Sequence, residues 1–380
     1  MTGQSTLNQA AQVIAGLAPG HRADAALRAY FATRPHVRPA ARRDVSRAVF
    51  AYFRWLRWLD ERASPQARIA QAIELHDRFR RDPRSIKPQA LVARTVPDWV
   101  RTEMELTPEH ARQLQQEPAL WLRARPGTGS ELAAELGDCT PSVLAPDALH
   151  YTGKEDLFRS AAFHRGAFEI QDLASQLVGL ACAPKPGETW WDACAGEGGK
   201  ALHLCDLMGN KGVVWATDRH TRRLETFRRR ASRARLFNFR TADWDGSARP
   251  PTKARFDGIL LDAPCSGIGT WQRNPQSRWT SSPDDVRELA AAQLNLLTHV
   301  AASLRPGGRL VYAVCTLTRS ETTAVAEAFS AAYPEFRPEA VGTPVTSGTA
   351  AAVHVTAGMT LWPHEINANG MFIAAWKRTG

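Results

Sequence analysis

Residues 188–200 read Glu-Thr-Trp-Trp-Asp-Ala-Cys-Ala-Gly-Glu-Gly-Gly-Lys. The apolar run at 189–194 has the length of a buried strand, and the glycines after it turn the chain into a helix. Working outward, further apolar runs lie at 213–217, 256–262 and 309–315, with helical stretches between them. Strands alternating with helices predict a parallel, doubly wound α/β sheet. A last run, Met371–Trp376, predicts a closing strand. In an open sheet of this kind, ligands bind in the crevice at the carboxyl ends of the strands.

Four of those ends carry an aspartate: Asp192, Asp218, Asp243 and Asp262. Between the first two lies the turn Cys194, Ala195, Gly196, Glu197, Gly198, Gly199 and Lys200. Its glycines let the backbone approach a ligand closely, but its spacing is neither GxGxxG nor GxxxxGK[ST]. Glycine-rich turns serve many strand–helix junctions, so the turn alone names no ligand. A single aspartate is equally well explained as a helix cap. Four together describe an acidic crevice. Asp218 is placed to accept hydrogen bonds from ribose hydroxyls, and Asp243 to meet an adenine amine. This suits a nucleoside cofactor without phosphates, and S-adenosylmethionine, whose sulfonium is cationic, is such a cofactor.

The same crevice receives two thiols. Cys265 lies in Leu-Asp-Ala-Pro-Cys-Ser-Gly (261–267) and Cys315 in Val-Tyr-Ala-Val-Cys-Thr (311–316), each just past an apolar strand. Free cysteines are often small buried hydrophobes, and Cys182 and Cys205, inside helical patterns, read that way. Cys139 reads as inert, and Cys194 as a packing position in the turn. Two strand-end thiols beside Asp262 fit methylation of a pyrimidine ring carbon. Carbon-5 of cytosine is a poor nucleophile until a thiolate adds at carbon-6. A base must then remove the carbon-5 proton, and a carboxylate must hold the N3/N4 edge. A free thiol is only about a few per cent ionised at neutral pH, so the attacking one needs a lowered pKa. Lys200 and the helix start after Thr316 are the candidates for that. This chemistry leaves open which of the two cysteines attacks.

The 380 residues suffice for two or three domains. Residues 5–115 read as helices: Asp44 is a candidate cap for a helix carrying Val45, Val49, Phe53 and Leu56. Ser64-Pro65 and Thr107-Pro108 start others. Residues 116–160 mix strand-like runs at 119–125 and 141–151 with a short helix at 131–136. Of the net charge of +10, residues 1–100 supply 17 Arg+Lys minus 8 Asp+Glu, or +9. A second knot, Arg219–Arg240, holds nine arginines and one acid, Glu225. Such patches meet polyanions, of which a nucleic-acid backbone is the commonest, although a solvated helical face has the same composition. The six cysteines show no zinc spacing, so no metal is expected. The polar start predicts no signal peptide, and no apolar run reaches the ~18 residues of a membrane span. A reduced, cytoplasmic monomer is expected.

In combination these motifs resemble the Sun-type (RsmB-like) RNA 5-methylcytosine methyltransferases. The resemblance is carried by Gly166-Ala-Phe-Glu-Ile-Gln-Asp172, Asp192–Lys200, Asp262-Ala-Pro-Cys-Ser-Gly-Ile-Gly269, Arg273-Asn-Pro275 with Trp279, and Tyr312-Ala-Val-Cys-Thr-Leu317. It implies a Rossmann-like class I methyltransferase domain over 161–380. A NusB-like RNA-binding domain over 1–115 and a small α+β connector over 116–160 would precede it. It implies Cys315 as nucleophile, Cys265 assisting release of the methylated base, and Asp262 touching the cytosine. Residues 194–200 with Asp218, Arg223, Asp243 and Asp262 would line the S-adenosylmethionine site. The implied partner is RNA, rRNA first and tRNA as the alternative. The chain departs from the family pattern at Gly196-Glu197, where Ala-Pro is usual, at Ala201 for Thr, and at Val314 for Thr. Glu197 motivates a rival reading as a non-catalytic RNA-binding or assembly factor. A Cys-dependent hydrolase is disfavoured, since no motif places a histidine near either thiol.

Overall fold

The computed structural model describes residues 3–17, 22–342 and 358–380. Residues 1–2 of the polar start and 18–21 of the stretch read as helical lie outside that description. The chain forms two compact units, one of residues 1–118 with 267–285 and one of residues 119–266 with 286–380.

The first unit is helical: α1 (Gln4–Ala15), α2 (Ala23–Ala32), α3 (Pro39–Arg54), α4 (Pro65–Arg81), α5 (Pro88–Arg94) and α6 (Pro108–Leu114). Four of these helices have proline at the first turn, where its missing N–H has no partner to lose. Ser64 caps α4 by accepting from Ala67 N, and Thr107 caps α6 by accepting from His110 N. The expected cap at Asp44 is corrected: α3 begins at Pro39, so Asp44 sits exposed inside it. Val45 and Val49 are fully buried as the spacing requires, while Phe53 and Leu56 are half-buried and Ala48 and Trp55 complete the core.

Residues 267–285 pack into this helical unit, although they follow the fourth strand of the sheet in sequence. Trp271 and Arg278 are fully buried. Arg278 donates to Gln115 Oε1 at 2.9 Å and to the carbonyls of Trp271, Thr95 and Leu114. Trp279 Nε1 donates to Phe53 O at 2.7 Å. The Arg273–Trp279 motif therefore belongs structurally to the helices.

The second unit holds two sheets. The small one is antiparallel, order β2-β3-β1-β4, from β1 (Leu120–Ala124), β2 (Cys139–Pro141), β3 (Ala148–Tyr151) and β4 (Phe168–Ile170). Helices α7 (Gly129–Leu136) and α8 (Ala161–His164) accompany it. The large sheet contains β5 (Thr189–Asp192), β6 (Val213–Asp218), β7 (Phe239–Asp243), β8 (Phe256–Asp262), β9 (Leu304–Val314), β10 (Phe336–Glu339), β11 (Met359–Leu361) and β12 (Met371–Arg378). Its order is β10-β12-β9-β8-β5-β6-β7, with β11 on β12. The run β9-β8-β5-β6-β7 is parallel, and β12 pairs antiparallel with β9. Helices α9 (Leu173–Cys182), α10 (Gly199–Leu207), α11 (Thr221–Arg233), α12 (Pro283–Ala301), α13 (Thr323–Ala332) and α14 (Pro363–Ile366) complete the chain.

Both faces of the central strands are covered. Trp190 and Trp191, adjacent on β5, point to opposite faces and join different clusters of the core. The chain leaves β5 toward β6 and β7 and returns to the other side of β5 as β8. Between β5 and β8 the direction of winding therefore reverses, which opens a crevice at their carboxyl ends. Among the described residues no helix is long and apolar enough to cross a membrane.

Candidate active site

The four strand-end aspartates stand along one edge of the sheet: Asp192, Asp218, Asp243 and Asp262 close β5, β6, β7 and β8. Asp218 and Asp243 are register partners. Asp192 is fully buried, and burial first, then the charge on Asp262, raises its carboxyl to about 8. Asp218 stabilises the glycine turn. Its Oδ2 accepts from Gly196 N at 2.9 Å and Arg223 Nη1 at 3.2 Å, and its Oδ1 from His220 N at 2.8 Å. Asp243 is exposed.

The turn itself needs its glycines. Gly196 and Gly198 both have positive φ, and a Cβ would strike the Arg223 guanidinium at the first and the Phe227 ring at the second. Gln171, from the Gly166–Asp172 motif, donates to Gly199 O at 3.2 Å and fixes the start of α10. Glu197 is exposed, and its carbonyl accepts from Arg230 at 2.8 Å. Cys194 is half-buried, and burial pushes its thiol up, as it does for Cys182 and Cys205.

This donor set fits S-adenosylmethionine. Several carboxylates crowd a site where burial and mutual repulsion already disfavour the charge on Asp192, and a cation relieves that repulsion. The same crowding yields a prediction for the ligand-free protein. The folded value of Asp192, about 8, lies above the unfolded value near 4. Its contribution to stability is therefore complete below about pH 4 and lost as pH rises through about 8. Asp192→Asn, neutral throughout, removes this dependence. Relative to the variant, the parent should lose stability between about pH 4 and 8 and level off above that, approaching a difference on the order of a few kcal/mol. Urea midpoints across that range check it, and parallel pH curves for the two proteins would contradict it.

Lys200, on the first turn of α10, carries its ammonium across to β8: Nζ donates to Asp262 Oδ2 at 2.7 Å and to Ser175 Oγ at 3.4 Å. Burial alone would lower its pKa, but the charge and hydrogen bond of Asp262, with Cys315 and Asp192 adding, leave it raised. It stays an ammonium. The helix start after Thr316 is corrected as the other candidate: α13 begins at Thr323, and between them lies a 3-10 turn, Arg319–Glu321, whose carboxylate is buried.

The two thiols meet. Cys265 Sγ and Cys315 Sγ are 3.3 Å apart, both half-buried and neither in a disulfide. The hydrogen bond to Cys315, then burial, then the charges of Cys315, Glu321 and Asp262 raise the Cys265 thiol well above its ordinary range. Lys200, Asp262, Cys265 and Cys315 thus form one electrostatic group. The sequence did not single out Glu321, Ser266 and Gln293, which join into a polar network behind the thiols. Tyr312, noted in the sequence only as a motif letter, donates to Gln293 Oε1 at 2.9 Å and Glu321 O at 2.7 Å.

Residues 179–377 match the family described as 16S rRNA methyltransferase RsmB/F. The chain belongs to this family. Its members use S-adenosylmethionine. The chain is 34% identical over 303 residues to the probable ribosomal RNA small subunit methyltransferase B of Synechocystis sp.. That match covers 75% of this chain and 67% of the relative. Against the probable methyltransferase B of Bacillus subtilis it is 34% identical over 252 residues, 66% of this chain and 56% of the relative. The chain thus spans between about half and two thirds of the length of these curated relatives. Among solved structures, PH0851 aligns over 100% of both chains with a TM-score of 0.81 and 22% identity. NSun6 from Pyrococcus horikoshii with SFG aligns over 72% of this chain and 94% of its own with a TM-score of 0.62 and 19% identity. At these identities the structures establish the fold. Within this RsmB/F protein, the departures at Glu197 and Val314 leave the thiol pair and the Lys200–Asp262 pair in contact.

Proposed function

We propose that this protein transfers a methyl group from S-adenosylmethionine to carbon-5 of a cytosine in RNA, with small-subunit rRNA as substrate, through a covalent adduct on Cys315. The observation that carries the reading is the thiol pair, 3.3 Å apart, beside the 2.7 Å Lys200–Asp262 pair. The electrostatics divide the labour. Lys200 interacts electrostatically with Cys315 and favours its thiolate, while Cys265 is held as a thiol.

Cys315 Sγ forms a bond to carbon-6, and the electrons of the 5,6 double bond move to carbon-5. Asp262 keeps Oδ1 for the cytosine amine while Oδ2 holds Lys200. The cofactor supplies an electrophilic methyl group, which carbon-5 takes. Cys265 passes its thiol proton to ring nitrogen N3 as Cys315 attacks and, now a thiolate, removes the carbon-5 proton; the double bond re-forms, the bond from Cys315 to carbon-6 breaks to return a thiolate, and N3 releases its proton to solvent. The turn 194–200 and Arg223 would enclose the cofactor. Asp218, with three of about four acceptor positions in use, would keep one for a ribose hydroxyl. Asp243, exposed at the neighbouring strand end, would meet the adenine.

The helical unit would act as the NusB-like RNA-binding part. Arg80, Arg81 and Arg84 are exposed at and beyond the end of α4. Replacing the three by glutamine should lower the slope of log affinity against log salt by about 2, at ~0.7 per phosphate contact on a single strand. Filter binding at several salt concentrations measures this, and an unchanged slope would move the RNA contact elsewhere.

The test of the reaction is bisulfite sequencing of unmodified small-subunit rRNA after incubation with protein and S-adenosylmethionine. One newly protected cytosine is expected. If all cytosines convert, the reading fails, and calorimetric absence of S-adenosylmethionine binding would then favour a non-catalytic RNA-binding factor.

A further inference from the structure

Glu321 lies six residues beyond Cys315 and is fully buried, with no cation among its hydrogen-bond partners. A buried carboxylate of this kind is costly unless it is well hydrogen-bonded. Here it accepts from five donors. Oε1 takes Ser266 N at 2.8 Å and Gln293 Nε2 at 3.0 Å. Oε2 takes Ser266 Oγ at 2.5 Å, Thr318 Oγ1 at 2.8 Å and Thr316 Oγ1 at 3.2 Å. Both carboxylate oxygens are thereby satisfied. The donors come from three places in the chain. Ser266 follows Cys265, Thr316 follows Cys315, and Gln293 sits on α12. Gln293 Nε2 also donates to Pro264 O at 2.9 Å, so the residues on both sides of Cys265 are held. Tyr312, three residues before Cys315, binds Glu321 O and Gln293 Oε1 and completes the ring.

We infer that Glu321 is the positioning residue of the thiol pair. Its carboxylate ties the Cys265 loop to the Cys315 strand end, and its fixed negative charge keeps the shared proton on Cys265, so that attack falls to Cys315. The geometry supplies both halves. The loop also meets β9 through Ala263 N to Ala313 O at 3.0 Å and Ser266 Oγ to Thr316 Oγ1 at 2.8 Å, and Glu321 is the group that gathers Ser266, Thr316 and Gln293 onto one carboxylate. Without the charge, Cys265 loses one of the contributions that disfavour its thiolate, beside the hydrogen bond to Cys315 and burial. The inference rests on the proposed roles of the two cysteines. It is a claim about the free protein, however, and is tested there.

The two thiols fall on separate tryptic peptides, residues 256–273 and 310–319. The full chain is treated with substoichiometric iodoacetamide over a pH series, and mass spectrometry reads which peptide is labelled first. The parent should label Cys315 at least about tenfold over Cys265 at neutral pH, because the thiolate is the form that reacts. Glu321→Gln, nearly isosteric, should cut that preference at least about threefold and move Cys265 labelling to lower pH. An unchanged partition in the Gln variant overturns the inference. Glu321→Asp keeps the charge but shortens the reach, and it serves if the Gln variant does not fold. It should retain the parent partition while kcat for methyl transfer falls with KM for RNA unchanged. An unchanged kcat, or labelling that moves to Cys265, overturns the inference. Labelling needs neither RNA nor cofactor, so failure of the methyl-transfer reading leaves this test standing.

Discussion

Cys265→Ala should make a protein–RNA linkage that survives denaturing electrophoresis, and Cys315→Ala should make none. The two sulfurs are 3.3 Å apart, so a base that adds to one lies within reach of the other. Removing Cys265 leaves the attack and methyl transfer in place but deletes the group that takes the carbon-5 proton. General-base assistance is worth about 10²–10⁴-fold, and release should slow by a factor in that range. Adduct should therefore accumulate with cognate RNA and S-adenosylmethionine. Removing Cys315 deletes the bond-forming atom, and methylation should fall by at least ~10³-fold. The double variant should behave as Cys315→Ala, because release has nothing to act on. Reversed phenotypes would exchange the roles of the two cysteines.

Lys200→Met should move the ionisation of Cys315 to higher pH. The ammonium is buried, interacts with Cys315 and holds Asp262 at 2.7 Å. A nearby positive charge favours the thiolate, so its removal raises the thiol pKa. A rise of one unit or more lowers the reactive fraction at neutral pH about tenfold or more. Methyl transfer should fall by at least that factor and recover in part as pH is raised. Iodoacetamide labelling of Cys315 against pH reads the shift without substrate, and a labelling profile that coincides with the parent's would contradict it. The variant also leaves Asp262 without its cation, beside Asp192, whose carboxyl is already raised to about 8. Cofactor affinity should rise as pH falls in neither protein, since a cationic ligand favours the ionised carboxylates.

Much of this is legible in the sequence. Apolar runs bounded by glycine and aspartate fixed β5, β6, β8 and the closing strand, because parallel strands buried on both faces carry an unbroken apolar signal. The edge strand β10, Phe-Arg-Pro-Glu, lacks an apolar run, and β11 has only three residues, so neither gives one. Asp44 misled because a capping residue type also occurs on exposed helix surfaces, and Pro39 had already begun the helix five residues earlier. The Arg273–Trp279 motif was visible, but its packing into the helical unit was not, since unit membership there runs against chain order. The candidate site shows the same division. Cys265, Cys315, Asp262 and Lys200 follow strands whose ends the pattern locates. Glu321 stands in the polar stretch Thr-Leu-Thr-Arg-Ser-Glu-Thr-Thr, where one acid looks like any other. Its meaning arises when a 3-10 turn folds it back onto Ser266, a contact between residues 55 apart.

RNA in which the target cytosines are replaced by 5-fluorocytosine tests the central claim most directly. Fluorine takes the place of the proton that Cys265 would remove, so the adduct cannot resolve after methyl transfer. With S-adenosylmethionine present, digestion and mass spectrometry should find the modified nucleotide joined to the peptide of residues 310–319, through Cys315. A link to the peptide of residues 256–273, or no covalent link under conditions where bisulfite sequencing shows methylation of ordinary RNA, would contradict the account.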